Sequence, residues 1–363
     1  MEILLVCDAM IGLEGGVRPA ICLANELVRK GGGVSILAPI MSSEVENRLR
    51  ATGITPINLR VKLFARKLGS PMLWFELWGR EAFFRLNSKR VFGYPHIKIN
   101  FSHTLAVPSE FLYLQGPTSA ALRDGETEFS GVYKFAYKFL KPIIDYADEN
   151  LAKEVSKRAT YIIANSKFCA SIYERWGIRV KDVVYPPVDR KIFRPCSNPS
   201  SDYVLTYFGR ETKFSIIKAV ADLGISIKAF GAKPSFTPKS LIKHPQVEFL
   251  GRVSTNELVN LYSNALYTLF PFTHEPFGYI PVESMCCGTP TLTYDAQGPS
   301  ETIVNGYNGW LVTSDDEIVR KALSLWKDGY DQRIRINCLK EAKKFDEEVY
   351  LRKWLKLLAQ EYV

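Results

Sequence analysis

The sequence predicts an α/β protein with two domains, each built around its own parallel sheet. Its 363 residues suffice for two domains of ordinary size. Apolar residues make up 47% and charged residues 23%, a globular balance that excludes a disordered or collagen-like chain. The same order of features occurs twice, about 200 residues apart: an apolar run, then a glycine turn, then a helical pattern. This is the order found in a β-α-β unit.

The first β-α-β unit opens the chain. Apolar runs at 3–7 and 34–38 predict two buried strands. Between them, a loop with Gly15 and Gly16 precedes a stretch, 17–30, whose apolar residues recur at helical spacing. We therefore expect two parallel strands joined by a helix.

The second unit begins with an apolar strand at 203–208. Gly209 follows it, then a helical stretch and a strand at 225–230. Ser254 and Glu257 form a capping box, which predicts the start of a helix. Further strands are predicted at 247–250, 266–270 and 290–294.

Two consecutive prolines, at 186 and 187, predict the boundary between the domains, because they favour an extended, stiff connection. We expect an N-terminal domain over 1–188 and a C-terminal domain over 189–346. The segment 347–363 has apolar residues at helical spacing, and we expect this helix to pack back on the N-terminal domain. Such folds bind ligands at the carboxyl ends of their strands, so the predicted site lies in a cleft between the domains.

The charge and the cysteine content of the sequence indicate which kind of partner the protein binds and in which cellular compartment it is found. Lys plus Arg number 47 and Asp plus Glu 38, a net charge of +9, which suggests an anionic partner such as a phosphate, a nucleic acid or a lipid surface. Seven scattered cysteines without a C-x-x-C pair argue against a disulfide framework or zinc site and favour a reduced, cytoplasmic protein. No signal peptide is visible, and no apolar run reaches the roughly 18 residues of a membrane span.

The segment 274–285 carries the clearest chemical signal. Glu275 leaves an apolar strand, Gly278 permits a tight turn, and Pro281 suits the first turn of a helix. Free amides at such a turn suit an anion, and carboxylates such as Glu275 and Glu283 accept hydrogen bonds from sugar hydroxyls. From these residues alone another interpretation stays open, in which Glu275 caps the helix and Glu283 is solvated.

This segment resembles the E-x7-E signature of the family 4 retaining glycosyltransferases, and 295–312 resembles the run that follows it in that family. The resemblance implies the GT-B fold, in which two Rossmann-like domains face each other across a cleft. Pro186-Pro187 and Phe277-Gly278 are most similar to the mannosyltransferases that extend lipid-linked oligosaccharides on the cytosolic face of a membrane.

The resemblance also implies roles for single residues. Glu275 would contact hydroxyls of the donor sugar, and Glu283 the ribose of a nucleotide-diphosphate sugar. The amides of Phe277 and Gly278 would meet the sugar or phosphate. Arg210 and a lysine would hold the diphosphate and stabilise the charge of the leaving group.

The usual spacing from Arg210 is not kept, which leaves Lys213 and Lys218 as candidates. By the resemblance the lysine is Lys213, because residues 214–217 then take the helix register of the family. A surface lysine on a helix is the alternative. By the same resemblance, Gly15 and Gly16 would approach the donor diphosphate. No Asp-x-Asp triplet and no ligand spacing for a metal occurs, so we expect neither a metal nor another cofactor.

The N-terminal domain departs from the family at one position. Gln115 stands where a histidine near the reacting sugar carbon is expected, and a glutamine can bond a hydroxyl but cannot transfer a proton. His103 lies nearby in the sequence and is the candidate to replace it. A purely structural role for His103 is the alternative.

A basic and aromatic segment, 58–100, is a second candidate interface. It holds nine Lys or Arg against two Glu, with Trp and Phe between them, and a helix is predicted over 71–86. Basic residues beside large aromatics suit an anionic membrane surface. The alternative is a helix buried in the domain, and nucleic acid is a weaker third partner because no known binding module is present.

These features predict a retaining, metal-independent hexosyltransferase, with a nucleotide-diphosphate sugar as donor and a lipid-linked saccharide or glycolipid as acceptor. It would act as a peripheral protein on the cytoplasmic face of a membrane. Two alternatives remain: a GT-B sugar-nucleotide epimerase, and a non-catalytic nucleotide-sugar-binding protein that docks on a membrane. The non-catalytic alternative is disfavoured because the residues expected at a working site are all present: Glu275, Gly278, Glu283 and Arg210.

Overall fold

The computed structural model describes residues 2–13, 15–64, 71–91, 97–126, 131–196, 199–234 and 237–361. The chain divides into two compact units. Unit 1 comprises Met1–Pro187 and Tyr350–Val363, and unit 2 comprises Val188–Val349. Each unit has its own parallel sheet, so the predicted α/β class with two parallel sheets is confirmed.

A seven-stranded sheet forms the centre of unit 1. Its strands are β1 (Glu2–Val6), β2 (Gly33–Ala38), β3 (Thr55–Asn58), β4 (Ile97–Asn100), β5 (Ser109–Leu114), β6 (Ala159–Ala164) and β7 (Asp182–Val183). They are parallel throughout, in the order β3-β2-β1-β4-β5-β6-β7. The chain builds one side of β1 first and crosses to the other side at β4, which creates a topological switch point between these strands.

A six-stranded parallel sheet forms the centre of unit 2. Its strands are β8 (Val204–Phe208), β9 (Ile227–Gly231), β10 (Val247–Gly251), β11 (Thr268–Phe270), β12 (Thr291–Tyr294) and β13 (Gly309–Val312). The order β10-β9-β8-β11-β12-β13 places the switch point between β8 and β11. The strands predicted in this half of the sequence are present, with small shifts at their ends.

Helices connect the strands, as parallel pairing requires. Unit 1 holds α1 (Arg18–Arg29), α2 (Ser43–Ala51), α3 (Pro71–Phe84), α4 (Thr118–Asp124), α5 (Gly131–Lys157) and α6 (Lys167–Arg175). Unit 2 holds α7 (Phe214–Asp222), α8 (Lys239–Ile242), α9 (Thr255–Asn264), α10 (Tyr279–Cys286), α11 (Pro299–Thr302), α12 (Asp315–Asp328) and α13 (Arg333–Glu341). The capping box predicted from Ser254 and Glu257 is confirmed at the start of α9.

The last helix, α14 (Glu347–Glu361), completes the core of unit 1. Trp354 is fully buried, and the centroid of its ring lies 5.6 Å from that of Phe101 and 5.9 Å from those of Phe111 and Tyr113. Burying one large apolar side chain completely stabilises a fold by roughly 3 kcal/mol. Trp354 therefore ties this helix firmly to the sheet of unit 1.

The helix predicted within 58–100 is present as α3, but one face of it is buried. Leu77 and Trp78 are at most 1% exposed, and Nε1 of Trp78 donates a hydrogen bond to Asp148 at 2.8 Å. The interpretation as a buried helix is therefore correct for this face. Among the described residues of the segment, large apolar side chains are exposed at Phe64, Phe75, Phe83, Phe84 and Leu86. Two of its basic residues lie outside the described residues, Arg66 and Lys67.

None of the described helices combines the length and the apolar character that crossing a bilayer needs.

Candidate functional site

Two loops meet at the switch point of unit 2: the β8 loop, residues 209–213, and the β11 loop, residues 271–278. The amide of Thr273 donates to the carbonyl oxygen of Glu211 at 2.7 Å, and a second backbone bond, 3.0 Å long, runs from Lys213 to the start of the β11 loop. The first loop carries the residues predicted to hold the diphosphate, and the second those predicted to hold the sugar. The fold therefore brings together two groups that are far apart in the sequence.

The β11 loop ends in a turn around the carboxylate of Glu275. Its Oε1 accepts hydrogen bonds from the amides of Gly278 (3.0 Å) and Phe277 (3.3 Å). Gly278 has φ +99°, a left-handed conformation that residues with a Cβ rarely adopt, and α10 begins at the next residue. The two amides predicted to meet the donor thus donate to Glu275 in this structure, and their contact with a ligand stays a prediction.

A second turn, to which sequence reasoning assigns no role, holds the first in place. Gln297 accepts a hydrogen bond from the amide of Glu275 (2.6 Å) and donates one to the carbonyl oxygen of Thr273 (3.1 Å). The amide of Gly298 donates to the carbonyl oxygen of Glu275 at 3.0 Å. A Cβ atom at position 298 would lie 2.4 Å from the Cα of Phe277, so any side chain there collides with the backbone of the first turn.

Glu283 lies on α10 and is only 4% exposed. The hydroxyl of Tyr262, on α9, donates to its Oε2 atom at 3.3 Å. The interpretation of Glu283 as a solvated helix residue is therefore wrong. A carboxylate buried to this extent costs free energy unless it is hydrogen-bonded or paired, which makes it more typical of a site than of a helix surface.

The two loops also place carboxylates near each other. Burial raises the pKa of Glu275 to about 7, the charge of Glu211 adds to the shift, and the two amides of the turn oppose it. Burial also raises the pKa of Glu211, and backbone hydrogen bonds and the nearby Arg210 guanidinium oppose this shift. Sequence reasoning misses Glu211, because nothing in the local pattern shows that it approaches Glu275. Such perturbed groups cluster at functional sites.

We expect Glu275→Gln to stabilise the protein at about pH 8 and not at about pH 4. The pKa of Glu275 is about 7 in the folded protein and 4.5 for an ordinary glutamate, the value expected in the unfolded chain. Between these two pH values the unfolded chain loses the proton more readily, so the free energy of unfolding falls as the pH rises from 4.5 to about 7. The loss amounts to up to about 3 kcal/mol, and an uncharged glutamine avoids it. Thermal melts of both proteins at the two pH values measure the difference. A change in melting temperature that is the same at both values contradicts the raised pKa.

The structure distinguishes the two candidate lysines. Nζ of Lys213 lies 3.0 Å from a carboxylate oxygen of Asp315 and 4.5 Å from the centroid of the Tyr294 ring, next to the ends of β12 and β13. Lys218 pairs with Asp222 on the same helix, α7, at 2.6 Å. Lys213 is thus the lysine at the strand-end edge of the sheet, with its charge engaged by Asp315.

The site residues predicted in unit 1 also lie at strand ends. Gln115 directly follows β5, and its Nε2 donates to the carbonyl oxygen of Phe101 at 3.0 Å. Gly16 is close enough that a Cβ atom there would lie 3.4 Å from the Oε1 of Gln115. Gly15 has φ +63°, in the left-handed region. The fold thus brings Gly16 and Gln115 together, although about a hundred residues separate them.

Asp8, which follows β1, is a further residue that sequence reasoning misses. Its carboxylate accepts hydrogen bonds from the amides of His103 and Thr104 (3.0 Å each) and from the hydroxyl of Ser102 (2.5 Å). The loop after β4 is thereby fixed to the end of β1 at the switch point of unit 1. The backbone of His103 belongs to this network, and a catalytic role for its ring stays a prediction.

The predicted site residues therefore fall into two groups, each near the switch point of its own unit. The group in unit 1 consists of Gly15, Gly16, His103 and Gln115. The group in unit 2 consists of Arg210, Lys213, Glu275, Phe277, Gly278 and Glu283. In the described part of the chain, no three or more His, Cys, Asp or Glu residues are grouped so that they could hold a metal ion.

Sequence comparison finds glycosyltransferases. Residues 238–346 match the family described as glycosyl transferases group 1. A D-inositol 3-phosphate glycosyltransferase of Mycolicibacterium smegmatis is 29% identical over 160 residues, which cover 37% of this chain and 37% of that protein. An uncharacterized glycosyltransferase of Methanocaldococcus jannaschii is 28% identical over 118 residues, which cover 30% of this chain and 33% of that protein. The chain thus spans about a third of the length of the curated relatives it matches.

Structural comparison extends the likeness to nearly the whole chain. HepE of Anabaena, solved in complex with UDP-glucose, has a TM-score of 0.70 and 18% sequence identity, and the match covers 99% of this chain and 99% of that chain. Identity at this level shows the fold alone. The fold, with two Rossmann-like domains of parallel sheets, is that of GT-B glycosyltransferase structures, which confirms the predicted class.

Proposed function

We propose that this protein is a retaining, metal-independent glycosyltransferase. It transfers a hexose from a nucleotide-diphosphate sugar to a lipid-linked saccharide or glycolipid, as a peripheral protein on the cytoplasmic face of a membrane. The observation that carries the proposal is the turn of the β11 loop, which places Glu275 at the start of α10 and Glu283 within that helix, at a switch point. The family match over 238–346 and the UDP-glucose bound to HepE support this class of donor.

In the proposed reaction, a hydroxyl of the acceptor attacks the anomeric carbon of the donor sugar while the bond to the nucleotide diphosphate breaks. The proton of that hydroxyl passes to the leaving diphosphate, and the new bond forms on the face that the old one occupied. The diphosphate gains negative charge as it leaves. Cations fixed beside it stabilise that charge, each by about 3 kcal/mol, and take the place of a metal.

Each residue has a defined part in this scheme. Glu275 accepts hydrogen bonds from hydroxyls of the donor sugar, and Glu283 from those of the ribose. Arg210, which is exposed on the β8 loop, meets the diphosphate together with Lys213. Lys213 is paired with Asp315 at 3.0 Å, a contact that uses one of the three donors of its ammonium group. The donor contacts of Gly15, Gly16, Gln115 and His103 in unit 1 stay predictions.

We expect Glu283→Ala to weaken nucleotide binding about tenfold or more, because hydrogen bonds to a charged group contribute about 1.5–3 kcal/mol. The turnover number at saturating donor should change much less. Titration calorimetry with UDP and GDP measures the binding. Tyr262→Phe removes one hydrogen-bond donor to the buried side chain and keeps Glu283 itself, and Glu248→Ala, exposed on β10, is the matched control. Unchanged nucleotide affinity in Glu283→Ala would remove the ribose assignment.

The proposed function is tested by incubating the protein with UDP- and GDP-sugars, with and without a glycolipid acceptor. Free nucleotide diphosphate together with a glycosylated acceptor of the donor's anomeric configuration supports the proposal. Formation of a C2 epimer of the donor would instead identify an epimerase, and tight binding without turnover a non-catalytic protein. Activity that disappears in EDTA and returns with a divalent cation would overturn metal independence.

A further inference from the structure

Between residues 135 and 146, α5 exposes a row of large apolar side chains. Phe135, Phe139, Ile143 and Tyr146 are 67%, 65%, 53% and 71% exposed. At about 100° per residue, these four positions fall within about 80° of one another around the helix axis. The rings of Phe135 and Phe139 also contact each other, with centroids 4.7 Å apart. We call these four residues the α5 stripe.

The opposite face of α5 is anchored in the core of unit 1. Tyr137, Ile144 and Leu151 are at most 6% exposed and belong to one apolar cluster that also contains Trp78 of α3. The helix therefore already buries one apolar face, and the α5 stripe is a second one that points to solvent. Single exposed apolar residues are common on protein surfaces, but a continuous row of this kind marks an interaction site.

The charges beside the α5 stripe indicate its partner. From 131 to 146 the stretch contains three lysines and one acidic residue, Asp145, which lies on the same flank and is paired with Arg123 at 3.1 Å. Lys134 and Lys138 are exposed, and Lys141 pairs with Glu126. At the same angular spacing, all three lysines lie on one flank of the stripe. An apolar row flanked by lysines fits a bilayer with anionic headgroups, since the apolar side chains enter the acyl boundary and the ammonium groups meet the phosphates.

We propose that the α5 stripe docks this protein on the surface of an anionic phospholipid membrane. The inference rests on the proposed function, because a lipid-linked acceptor would be reached at such a surface. Trp78 of α3 is buried and cannot reach a lipid, so the proposed contact does not include it. The hydroxyl of Tyr146 would remain at the headgroup level, as is usual for tyrosine at this boundary.

The test is cosedimentation of the full chain with vesicles of phosphatidylcholine alone and of phosphatidylcholine mixed with phosphatidylglycerol. The apolar variant is Phe135→Ser/Phe139→Ser/Ile143→Ser. Its matched control replaces three exposed aliphatic residues of unit 2, Ile192→Ser/Leu223→Ser/Ile336→Ser. The charge variant Lys134→Gln/Lys138→Gln is compared with Lys340→Gln/Lys356→Gln, which are also exposed.

We expect the wild type and both controls to bind the anionic vesicles and to bind the neutral ones much less. The apolar and charge variants should each bind at least about tenfold more weakly, and salt should weaken wild-type binding. Unchanged binding of the apolar variant overturns the proposal. So does a wild-type dimer in sedimentation velocity that the same substitutions dissociate, because the stripe would then be an interface between two copies.

Vesicle binding is measured without a donor sugar, so this inference and the proposed function can fail separately. Transfer to a detergent-solubilised acceptor by a protein that ignores vesicles would refute the docking surface alone. Vesicle binding by a protein that turns over no donor would refute the proposed function alone.

Discussion

Replacing Glu275 with alanine is expected to lower the turnover number at least about a hundredfold. The substitution removes the carboxylate proposed to bind the donor sugar and also the oxygen that accepts from the amides of Phe277 and Gly278. Both losses act at the position where the sugar must be held in one orientation. Release of nucleotide diphosphate under single-turnover conditions measures the effect directly.

The variant Glu275→Gln separates the two losses. Its amide oxygen can still accept from both backbone amides, so the turn should persist while the charge is gone. We expect this variant to bind UDP or GDP as the wild type does and yet to remain at least about tenfold slower in turnover. Glu248→Ala is the matched control. Wild-type turnover by the glutamine variant would show that Glu275 only caps the turn, which is the interpretation left open by the sequence.

The second large effect is expected from Gly298→Ala. The added Cβ would lie 2.4 Å from the Cα of Phe277, so one of the two turns must move. We expect the free energy of unfolding to fall by about 2–3 kcal/mol. Turnover should fall by about a hundredfold, because displacement of a catalytic turn by an ångström is enough for such a loss. Denaturant melts and donor turnover provide the two measurements.

Gly79→Ala is the control for this substitution. Gly79 lies inside α3 with open space around it, and alanine favours a helix by about 0.5–1 kcal/mol, so this variant should be neutral or slightly more stable. A Gly298→Ala protein with unchanged stability and turnover would show that the turn at Gly298 accommodates a side chain at little cost and does not position Glu275.

Much of the fold could be predicted from the sequence, because parallel strands buried on both faces appear as continuous apolar runs. The runs at 3–7 and 203–208 are β1 and β8, the strands at the two switch points. The order of the strands in each sheet could not be read in this way. It depends on which strands pair across long stretches of chain, and no local pattern records that.

The candidate site also has parts that the sequence predicts and parts that only the folded structure shows. The turn at Glu275 and Gly278 could be predicted because its residues are close together in the sequence. Gln297 and Asp8 could not, since each acts on a loop to which it is adjacent only after folding. The α5 stripe cannot be predicted for another reason: apolar residues occur on both faces of this helix, and the sequence does not show which face is buried.

The position of α14 has a consequence for how the protein is made. Unit 2 is one unbroken stretch of chain, whereas unit 1 is complete only when the helix that carries Trp354 has been added. During synthesis, unit 2 can therefore finish folding first, while the rings of Phe101 and Tyr113 still lack their indole partner. A nascent chain released before that point would expose these aromatic rings to solvent. We therefore expect premature termination in the final helix to yield aggregates rather than a smaller active protein.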